Sequence, residues 1–404
     1  MNSDQILSLR TVFCTVSAQN YLPQVVTLFA STKCHDPTID FIALIVDADE
    51  EVAVLTKTAP GLIPWSTSRL DFEPEEIDNL RAIYDVVEYS TALKPRFFLK
   101  LLEDYDRVVY LDPDTYALAS LSGLDEIIDS HAVVLTPHFL RPVPGAVKHI
   151  ADDHALTTGV HNLGFGAYSR EAVPFLEWWW SKLRRGCLIY PLLGIFVDQK
   201  WTDLGASYFG AFTLRDAGYN VGPWNLHERE LQGSPDGSIR VMPENHPLRL
   251  FHFSGFDPEH PRDLSVRLNA DLGSLLDGNQ VLEKLAIDYA EKLLSSRREL
   301  GALPPYLYSR SNAGRLITTR LRRVYRAQLL AEKSPPSLFA TGSILEAKRW
   351  MRSTILEQWG SLASDVAIAA KYASPDSFRY LRRILGGRFS ELRVKLLDRN
   401  RIRR

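Results

Sequence analysis

The stretch RVVYLDPDTYALASL (Arg107–Leu121) runs from an apolar segment directly into two aspartates, Asp112 and Asp114, with one proline between them. Residues i and i+2 of an extended chain point to the same side, so both carboxylates face one way. Pro113 has no N–H group, which suits a strand that is leaving its sheet. Hard oxygen ligands at this spacing favour Mg²⁺ or Mn²⁺, which proteins usually hold with one or two carboxylates and the phosphates of a substrate.

Two other interpretations of this stretch stay open on the residues alone. Asp-Pro-Asp is also favourable chemistry for a surface turn. The string VVYLDPDT further matches the first motif of haloacid-dehalogenase-like phosphatases, in which the first aspartate is a nucleophile and the second an acid/base. The rest of such a site would be Thr136, Lys148 and Asp152-Asp153. That places the site within about 40 residues, which is short for several βα units.

Strand-like and helix-like segments alternate over the first 137 residues. The predicted strands are 10–18, 40–48, 107–114 and 131–137, and the predicted helices are 21–32, 74–85 and 94–105. This alternation predicts an α/β fold with a mostly parallel sheet covered by helices. Ligands of such sheets bind beyond the carboxyl ends of the strands. Asp112 and Asp114 lie at one such end, and Asp47 lies at another.

The composition is that of an ordinary soluble globular protein, with 404 residues, 45% hydrophobic and 24% charged. Charge is distributed unevenly, because from Gly301 onward about 21 Lys/Arg face about 7 Asp/Glu. We predict an α/β domain at 1–263 and a basic, mainly helical region at 264–404. The basic tail contains no recognisable nucleic-acid-binding module, so we expect no nucleic-acid partner.

The sequence predicts a cytoplasmic protein. Its three cysteines form no CxxC pair, so neither a disulfide framework nor a zinc site is indicated. The N-terminus lacks the pattern of a signal peptide. The longest apolar run, Cys187–Val197, is about half of the roughly 20 residues that span a bilayer. Apolar residues among arginines in FRYLRRILGGRFSELRVKLL are compatible with two interpretations: contact of the basic C-terminal helices with the inner face of the membrane, or a helical subdomain whose arginines face solvent or the acidic body.

Six motifs in order give the sequence a family resemblance. They are NYLPQVVTLFAS, LKPRFFLKLL, YLDPDT, HNLGFGAYS, VDQKW and HFSG. From about Thr11 to Pro261 the chain resembles GT-A-fold glycosyltransferases, most closely the retaining family 8 type and its bacterial relatives. The resemblance implies a GT-A-like, Rossmann-like fold, in which a mostly parallel mixed sheet is covered by helices. A C-terminal helical extension would follow it.

The resemblance implies that Asp112, Asp114 and His252 hold Mn²⁺ or Mg²⁺ and that Asp112 also contacts the donor. An isolated histidine on a strand is more often a core residue, but His252 stands in an HxxG motif. Neutral imidazole is a good Mn²⁺ ligand. Gly255 would let the backbone approach a diphosphate closely.

The family often has a lysine on the phosphate, three residues after that glycine. This chain has Pro258 there instead. Arg262 is one candidate for the missing charge. Lys94 and Arg96, which open the helix before the metal strand, are the others and are expected to bind the donor. A solvated helix face is the alternative interpretation of Lys94 and Arg96.

The remaining donor contacts also follow from the resemblance. Asp198 would bind hydroxyls of the donor sugar and Gln199 would lie beneath its anomeric carbon, which makes them the predicted catalytic pair. Asp198 is also simply favourable at a helix N-terminus. Asn162 and Gly164 would form the floor of the sugar site.

The nucleotide end of the donor would lie near the first strand, beside Ser17, Ala18 and Asn20. Asp47 would contact the ribose or the base, or would merely end a strand. On the acceptor side, Trp224 is a candidate for stacking on a sugar face.

The resulting prediction is a metal-dependent retaining glycosyltransferase of the hexosyltransferase type. Its donor would be a nucleotide sugar, with UDP-sugar favoured, and its acceptor a hydroxyl of a glycan, a lipid-linked sugar or a protein. The alternative is a non-catalytic nucleotide-sugar-binding or scaffold module on the same fold, and the phosphatase is less favoured. The motifs name neither the donor sugar nor the acceptor.

Overall fold

The computed structural model describes residues 9–48, 53–268, 275–376 and 379. The helices are α1 (Leu22–His35), α2 (Ala53–Thr58), α3 (Pro74–Ile83), α4 (Val86–Leu101), α5 (Asp125–Ser130), α6 (Asp153–Thr158), α7 (Val173–Gly186), α8 (Gln199–Phe209), α9 (Gln280–Leu300), α10 (Thr319–Leu330), α11 (Ile344–Ser353) and α12 (Ile355–Ala373). The strands are β1 (Thr11–Ser17), β2 (Asp40–Ile45), β3 (Leu62–Ser66), β4 (Arg107–Leu111), β5 (Thr115–Ala117), β6 (Val133–Pro137), β7 (His161–Ser169), β8 (Ile189–Tyr190), β9 (Ile195–Phe196), β10 (Phe212–Thr213), β11 (Glu230–Gly233), β12 (Ile239–Met242), β13 (His246–Pro247) and β14 (Leu250–His252).

A seven-stranded mixed sheet has the order β10-β6-β7-β4-β1-β2-β3. The pairs β1–β2, β1–β4, β2–β3 and β6–β10 are parallel, and β7 runs antiparallel to both of its neighbours. The carboxyl ends of β1, β2 and β4 therefore meet at one edge of the sheet. The predicted α/β class with a mostly parallel mixed sheet is confirmed.

Residue chemistry explains the central strands. β2 and β4 are almost continuously buried and read DFIALI and RVVYL, as expected for strands covered on both faces. Side chains from β1, β2 and β4 pack with α1 in one apolar core, which includes Phe13, Leu28, Phe41 and Val109. This core fixes the strand ends at which the polar residues begin.

A short antiparallel pair beyond the main sheet positions the late part of the chain. β14 pairs with β5, so that His252 lies opposite Thr115. The residues after β14 join a second apolar core, in which Phe253 stacks on Tyr289 of α9 with ring centroids 3.8 Å apart. The predicted helical character after residue 264 is present in α9 to α12.

Contacts divide the chain into two compact units. Unit 1 spans residues 1–70, 93–180 and 198–305, and unit 2 spans 71–92, 181–197 and 306–404. The boundary predicted at 263/264 remains a prediction, and α9 belongs to unit 1.

Unit 2 is held together in part by ion pairs. Glu76 of α3 accepts hydrogen bonds from Arg184 and Arg185, and Arg323 of α10 pairs with the buried Glu88. No helix in the part of the chain that the structure describes is long and apolar enough to cross a membrane. The basic stretch at 377–404 lies, apart from residue 379, outside the described residues.

Candidate functional site

The two aspartates follow β4 at the carboxyl edge of the sheet. The Asp112 amide donates to the carbonyl of Gly164 on β7 over 2.9 Å, and the Thr115 amide donates to the Asp112 carbonyl over 3.0 Å. The chain thus leaves the sheet in a tight turn at Asp112 and re-enters extended structure at Thr115. The turn that Asp-Pro-Asp chemistry predicts is therefore present, and it lies at the carboxyl end of β4.

His252 joins the aspartates through the pairing of β14 with β5. The Phe253 amide donates to the Asp114 carbonyl over 2.8 Å, which locks the two segments together. The His252 Nε2 atom lies 3.2 Å from Asp114 Oδ1 and 3.9 Å from Asp112 Oδ2. One ligand atom from each of the three residues falls within 4.8 Å of the others. A single cation has room to contact all three.

Asn220 determines which nitrogen of His252 faces the carboxylates. The Asn220 amide nitrogen donates to Thr136 Oγ1, to the Asn162 carbonyl and to Asn162 Oδ1, over 2.8–3.1 Å. Its oxygen must therefore point at His252 Nδ1, 3.0 Å away, and accept that proton. If the ring is neutral, its Nε2 atom presents a lone pair to Asp112 and Asp114.

This arrangement requires positive charge between the three ligands. Two carboxylates and an imidazole lone pair repel one another unless a proton or a cation lies between them. Burial raises the pKa of Asp114, but a positive charge on the His252 ring and, to a lesser extent, the charge of Arg267 outweigh it and hold that pKa below its ordinary value. Two oxygens and one imidazole nitrogen are a donor set that suits Mn²⁺ or Mg²⁺. The residues present therefore fit the predicted metal.

Gly164 makes the room that His252 occupies. A Cβ atom at Gly164 would lie 2.2 Å from His252 Nδ1, far inside van der Waals contact. The glycine on β7 is thus required by the imidazole beside it. This role differs from the sugar-site floor predicted for Gly164, which stays a prediction.

Lys94 is bonded to two carboxylates inside the protein. Its Nζ atom lies 2.9 Å from Asp198 Oδ2 and 3.4 Å from Asp112 Oδ1, and it donates to the Leu163 carbonyl over 3.3 Å. Burial lowers the pKa of Lys94, but Asp112 and Asp198 outweigh it and raise that pKa above its ordinary value. The solvated helix face considered for Lys94 does not apply, since its side chain is only 3% exposed.

Asp198 precedes α8 without capping it. Its side chain accepts no capping hydrogen bond from the helix, and its carboxylate faces Lys94 instead. Burial raises the pKa of Asp198, and Lys94 opposes that shift. The helix-terminus interpretation therefore does not account for this aspartate. Lys94 joins Asp198 to Asp112 in one charge network beside the metal ligands.

The amides of Gln199 and Asn162 are engaged within the protein. Gln199 accepts from the Leu163 amide over 3.2 Å and donates to the Thr158 carbonyl over 3.0 Å. Asn162 Oδ1 accepts from the Gly164 amide over 2.9 Å. Both side chains fix the start of β7, next to the charge network. Their predicted donor contacts stay predictions.

The residues predicted for the nucleotide end lie at the carboxyl ends of β1 and β2. Ser17 ends β1 and is buried, as is Ala18, whereas Asn20 is exposed. Asp47, two residues beyond β2, accepts from the Gln19 amide over 2.8 Å and so ties the two strand ends together. These four residues share an edge with Asp112, and their contacts with a donor stay predictions.

Lys94 is one of three candidates for the missing phosphate charge, and the other two, Arg262 and Arg96, also have partners within the protein. Arg262 pairs with Glu283 and Asp277. Arg96 donates to the Leu70 carbonyl over 3.4 Å. These contacts do not test the predicted donor-binding roles of Arg262 and Arg96. Both side chains nevertheless already have partners within the protein.

Arg267, which sequence analysis did not single out, lies on the Asp114 side of the site. Gly255 has a φ of +72°, and a Cβ there would lie 2.6 Å from Arg267 Cγ. Arg267 Nη1 also donates to Ser254 Oγ over 3.2 Å. The Arg267 side chain thus packs across Gly255 of the HxxG motif. Its positive charge lowers the pKa of Asp114. No sequence motif marks Arg267, because its position depends on the fold of the loop after β14.

Trp224 packs against His252. Its ring meets the His252 ring edge to face with centroids 5.1 Å apart, and its side chain is 5% exposed. Among the described residues, no hydrogen-bond partner faces the buried Trp224 Nε1 atom. A tryptophan buried to this extent packs against the site and is not available for broad stacking on a sugar.

Comparisons with known proteins give structural likeness only. No family model and no curated protein matches the chain. The galactosyltransferase LgtC, solved with donor and acceptor sugar analogues, is 15% identical with a TM-score of 0.38, over 68% of this chain and 95% of its own. GlyE from Streptococcus pneumoniae TIGR4 is 15% identical with a TM-score of 0.39, over 74% of this chain and 65% of its own.

The bifunctional glycosyltransferase WbbM is 17% identical, with a TM-score of 0.35 over 55% of this chain. The chain spans 42% of the length of that WbbM structure. These similar structures are all glycosyltransferases.

Proposed function

We propose that the protein is a metal-dependent retaining glycosyltransferase that moves a sugar from a nucleotide diphosphate donor to a hydroxyl acceptor. The observation that carries the proposal is the convergence of Asp112, Asp114 and His252 at the carboxyl edge of the sheet. Three ligands on one side leave the other side of a cation for phosphate oxygens. The donor is a UDP-sugar in this proposal, and the acceptor belongs to a glycan, a lipid-linked sugar or a protein.

Each part of the site has a role in this reaction. A divalent cation supplies Lewis-acid stabilisation of the charge that develops on the leaving diphosphate. Asp112, Asp114 and His252 hold it, and Asn220 keeps the Nε2 lone pair directed at it. Gly255 makes room for the Arg267 side chain that packs across it, and Arg267 adds a positive charge beside Asp114.

The sugar half of the donor would lie against the charge network. Lys94 holds Asp198 and Asp112 in fixed positions, so that Asp198 is oriented before a donor hydroxyl reaches it. Gln199 and Asn162 position the adjoining backbone of β7. Retention of the anomeric configuration is the part of the proposal that rests on family resemblance. The proposed cytoplasmic location at the inner face of the membrane rests on the cysteine usage and the basic C-terminal stretch of the sequence.

A thermal-shift experiment followed by a turnover assay tests the proposal. The melting temperature should rise with UDP or GDP only when Mn²⁺ or Mg²⁺ is also present, and a panel of sugar nucleotides should include one that is hydrolysed. Metal-dependent binding without any turnover would favour the non-catalytic module. Hydrolysis of simple phosphate esters would favour the phosphatase, although the Asp152 carboxylate already accepts from the Val143 amide and the Thr136 hydroxyl donates to the Asn162 carbonyl.

Replacing Arg267 with glutamine should raise the Kd of the metal-bound nucleoside diphosphate about tenfold, since a charge-assisted contact contributes about 1.5–3 kcal/mol. Arg170→Gln is the matched control, because Arg170 is exposed and paired with Asp106, at the opposite end of β4 from Asp112. Calorimetric titration of both variants with UDP and Mn²⁺ measures the difference. Equal affinities of the Arg267 variant and the wild type would remove Arg267 from the donor site.

A further inference from the structure

Helix α12 of unit 2 turns its apolar side outward. Its apolar residues recur every three or four positions, which places them on one face of the helix. We call this set the α12 apolar face, and its members are Ile355, Trp359, Leu362, Val366, Ala370 and Ala373. Ile355, Trp359 and Val366 are 50%, 63% and 59% exposed. A surface helix of a soluble protein normally buries such a face.

The polar side of α12 is the side that packs on unit 2. Ser364 and Ile368 are its buried residues. Glu357 accepts a hydrogen bond from Gln328 of α10 over 3.1 Å, and Asp365 accepts one from Tyr190. Both acidic groups of the helix are therefore held on the inner side. None of the residues that form the α12 apolar face is acidic.

Basic residues flank the α12 apolar face. Arg320, at the start of α10, lines one hollow together with Ile355 and Trp359. Arg352, at the end of α11, is exposed. An uncharged apolar strip beside cationic groups matches the interface of an anionic bilayer, where the strip enters the acyl boundary and the cations meet lipid phosphates.

The same charges disfavour a second copy of the chain as the partner. A two-fold contact through the α12 apolar face would bring like basic flanks together, and like charges in an interface are costly. Trp359 also suits a bilayer surface, since tryptophan is enriched at the level of the lipid head groups. α12 does not meet the length and apolarity of a membrane span, so it would lie in the plane of the surface.

We propose that the α12 apolar face docks the protein on a bilayer that contains anionic lipid. This inference does not depend on the reaction that unit 1 catalyses. It names a surface within the described residues, whereas the sequence predicted membrane contact through the basic C-terminal stretch. Exposed Trp359 and Val366 are the groups that enter the bilayer.

Flotation of the full chain with vesicles tests this docking. Wild-type protein should float with vesicles of equal parts phosphatidylcholine and phosphatidylglycerol and remain at the bottom with phosphatidylcholine alone. The double variant Trp359→Gln, Val366→Asn should bind the mixed vesicles on the order of tenfold more weakly or worse, because two large apolar groups no longer enter the bilayer. Tyr372→Gln is the matched control on the same helix, since Tyr372 is 66% exposed but lies off the α12 apolar face.

The expected result requires that both variants melt at the wild-type temperature. Unchanged flotation of the double variant would overturn the proposal, because the basic stretch at 377–404 would then bind by itself. Failure of the wild type to float would overturn it too. So would light scattering that finds a dimer which the double variant converts to a monomer, since a second copy would then cover the face.

Discussion

Asp114→Asn should lower turnover of a sugar nucleotide about a thousandfold, even at saturating Mn²⁺. The substitution keeps the size of the side chain but removes the negative charge that faces His252 Nε2 at 3.2 Å. Metal-ion stabilisation of a leaving group contributes several kcal/mol, and each 1.4 kcal/mol is a factor of about ten in rate. Steady-state assays of donor hydrolysis and transfer measure the loss.

Asp277→Asn is the control for Asp114→Asn. Asp277 has a side chain 74% exposed, and its recorded ion-pair partner is Arg262 at 3.6 Å. This variant should retain wild-type turnover, and circular dichroism should find both variants folded. Wild-type activity of Asp114→Asn at any Mn²⁺ concentration would contradict the metal site.

Lys94→Met should lower the free energy of unfolding by about 3–5 kcal/mol, because it leaves a buried carboxylate without its partner. Asp198 is 2% exposed and faces Lys94 Nζ at 2.9 Å. Burial already raises the pKa of Asp198, and loss of the ammonium group removes the main opposing effect. Urea denaturation of the variant and the wild type measures the change.

A second variant distinguishes charge pairing from simple packing. Lys94→Met, Asp198→Asn removes both charges and should recover part of the lost stability. Lys100→Met, on the same helix and in a surface pair with Glu103 at 2.7 Å, should change stability by less than about 1 kcal/mol. Equal losses in the Lys94 single and double variants would contradict the pairing.

The sequence predicts those parts of the site that depend on local patterns of residues. An apolar strand followed by Asp-Pro-Asp predicts paired carboxylates at a sheet edge, and β4 with its turn has this form. The role of His252 could be predicted only from the ordered motifs of a family, because His252 comes close to Asp114 through the pairing of β14 with β5. Asn220 and Arg267 have no such signal, since each acquires its role from a neighbour that the fold supplies.

The fold itself was predictable in class and less so in detail. Alternating buried strands and helices predict the mostly parallel sheet. β3 was not predicted, because Pro64 interrupts its apolar pattern, and the strand lies at the edge of the sheet, where proline is tolerated. The antiparallel direction of β7 is set by long-range pairing that no local period encodes.

The interleaving of the two units limits how the gene can be shortened. A stop codon after residue 263 would delete α9, and with it Tyr289, whose ring stacks on Phe253, the residue after His252. A stop codon after residue 305 would keep α9. It would, however, remove residues 306–404, with which segments 71–92 and 181–197 form unit 2. Expression of unit 1 alone therefore requires excising two internal segments and rejoining the chain, not trimming one end.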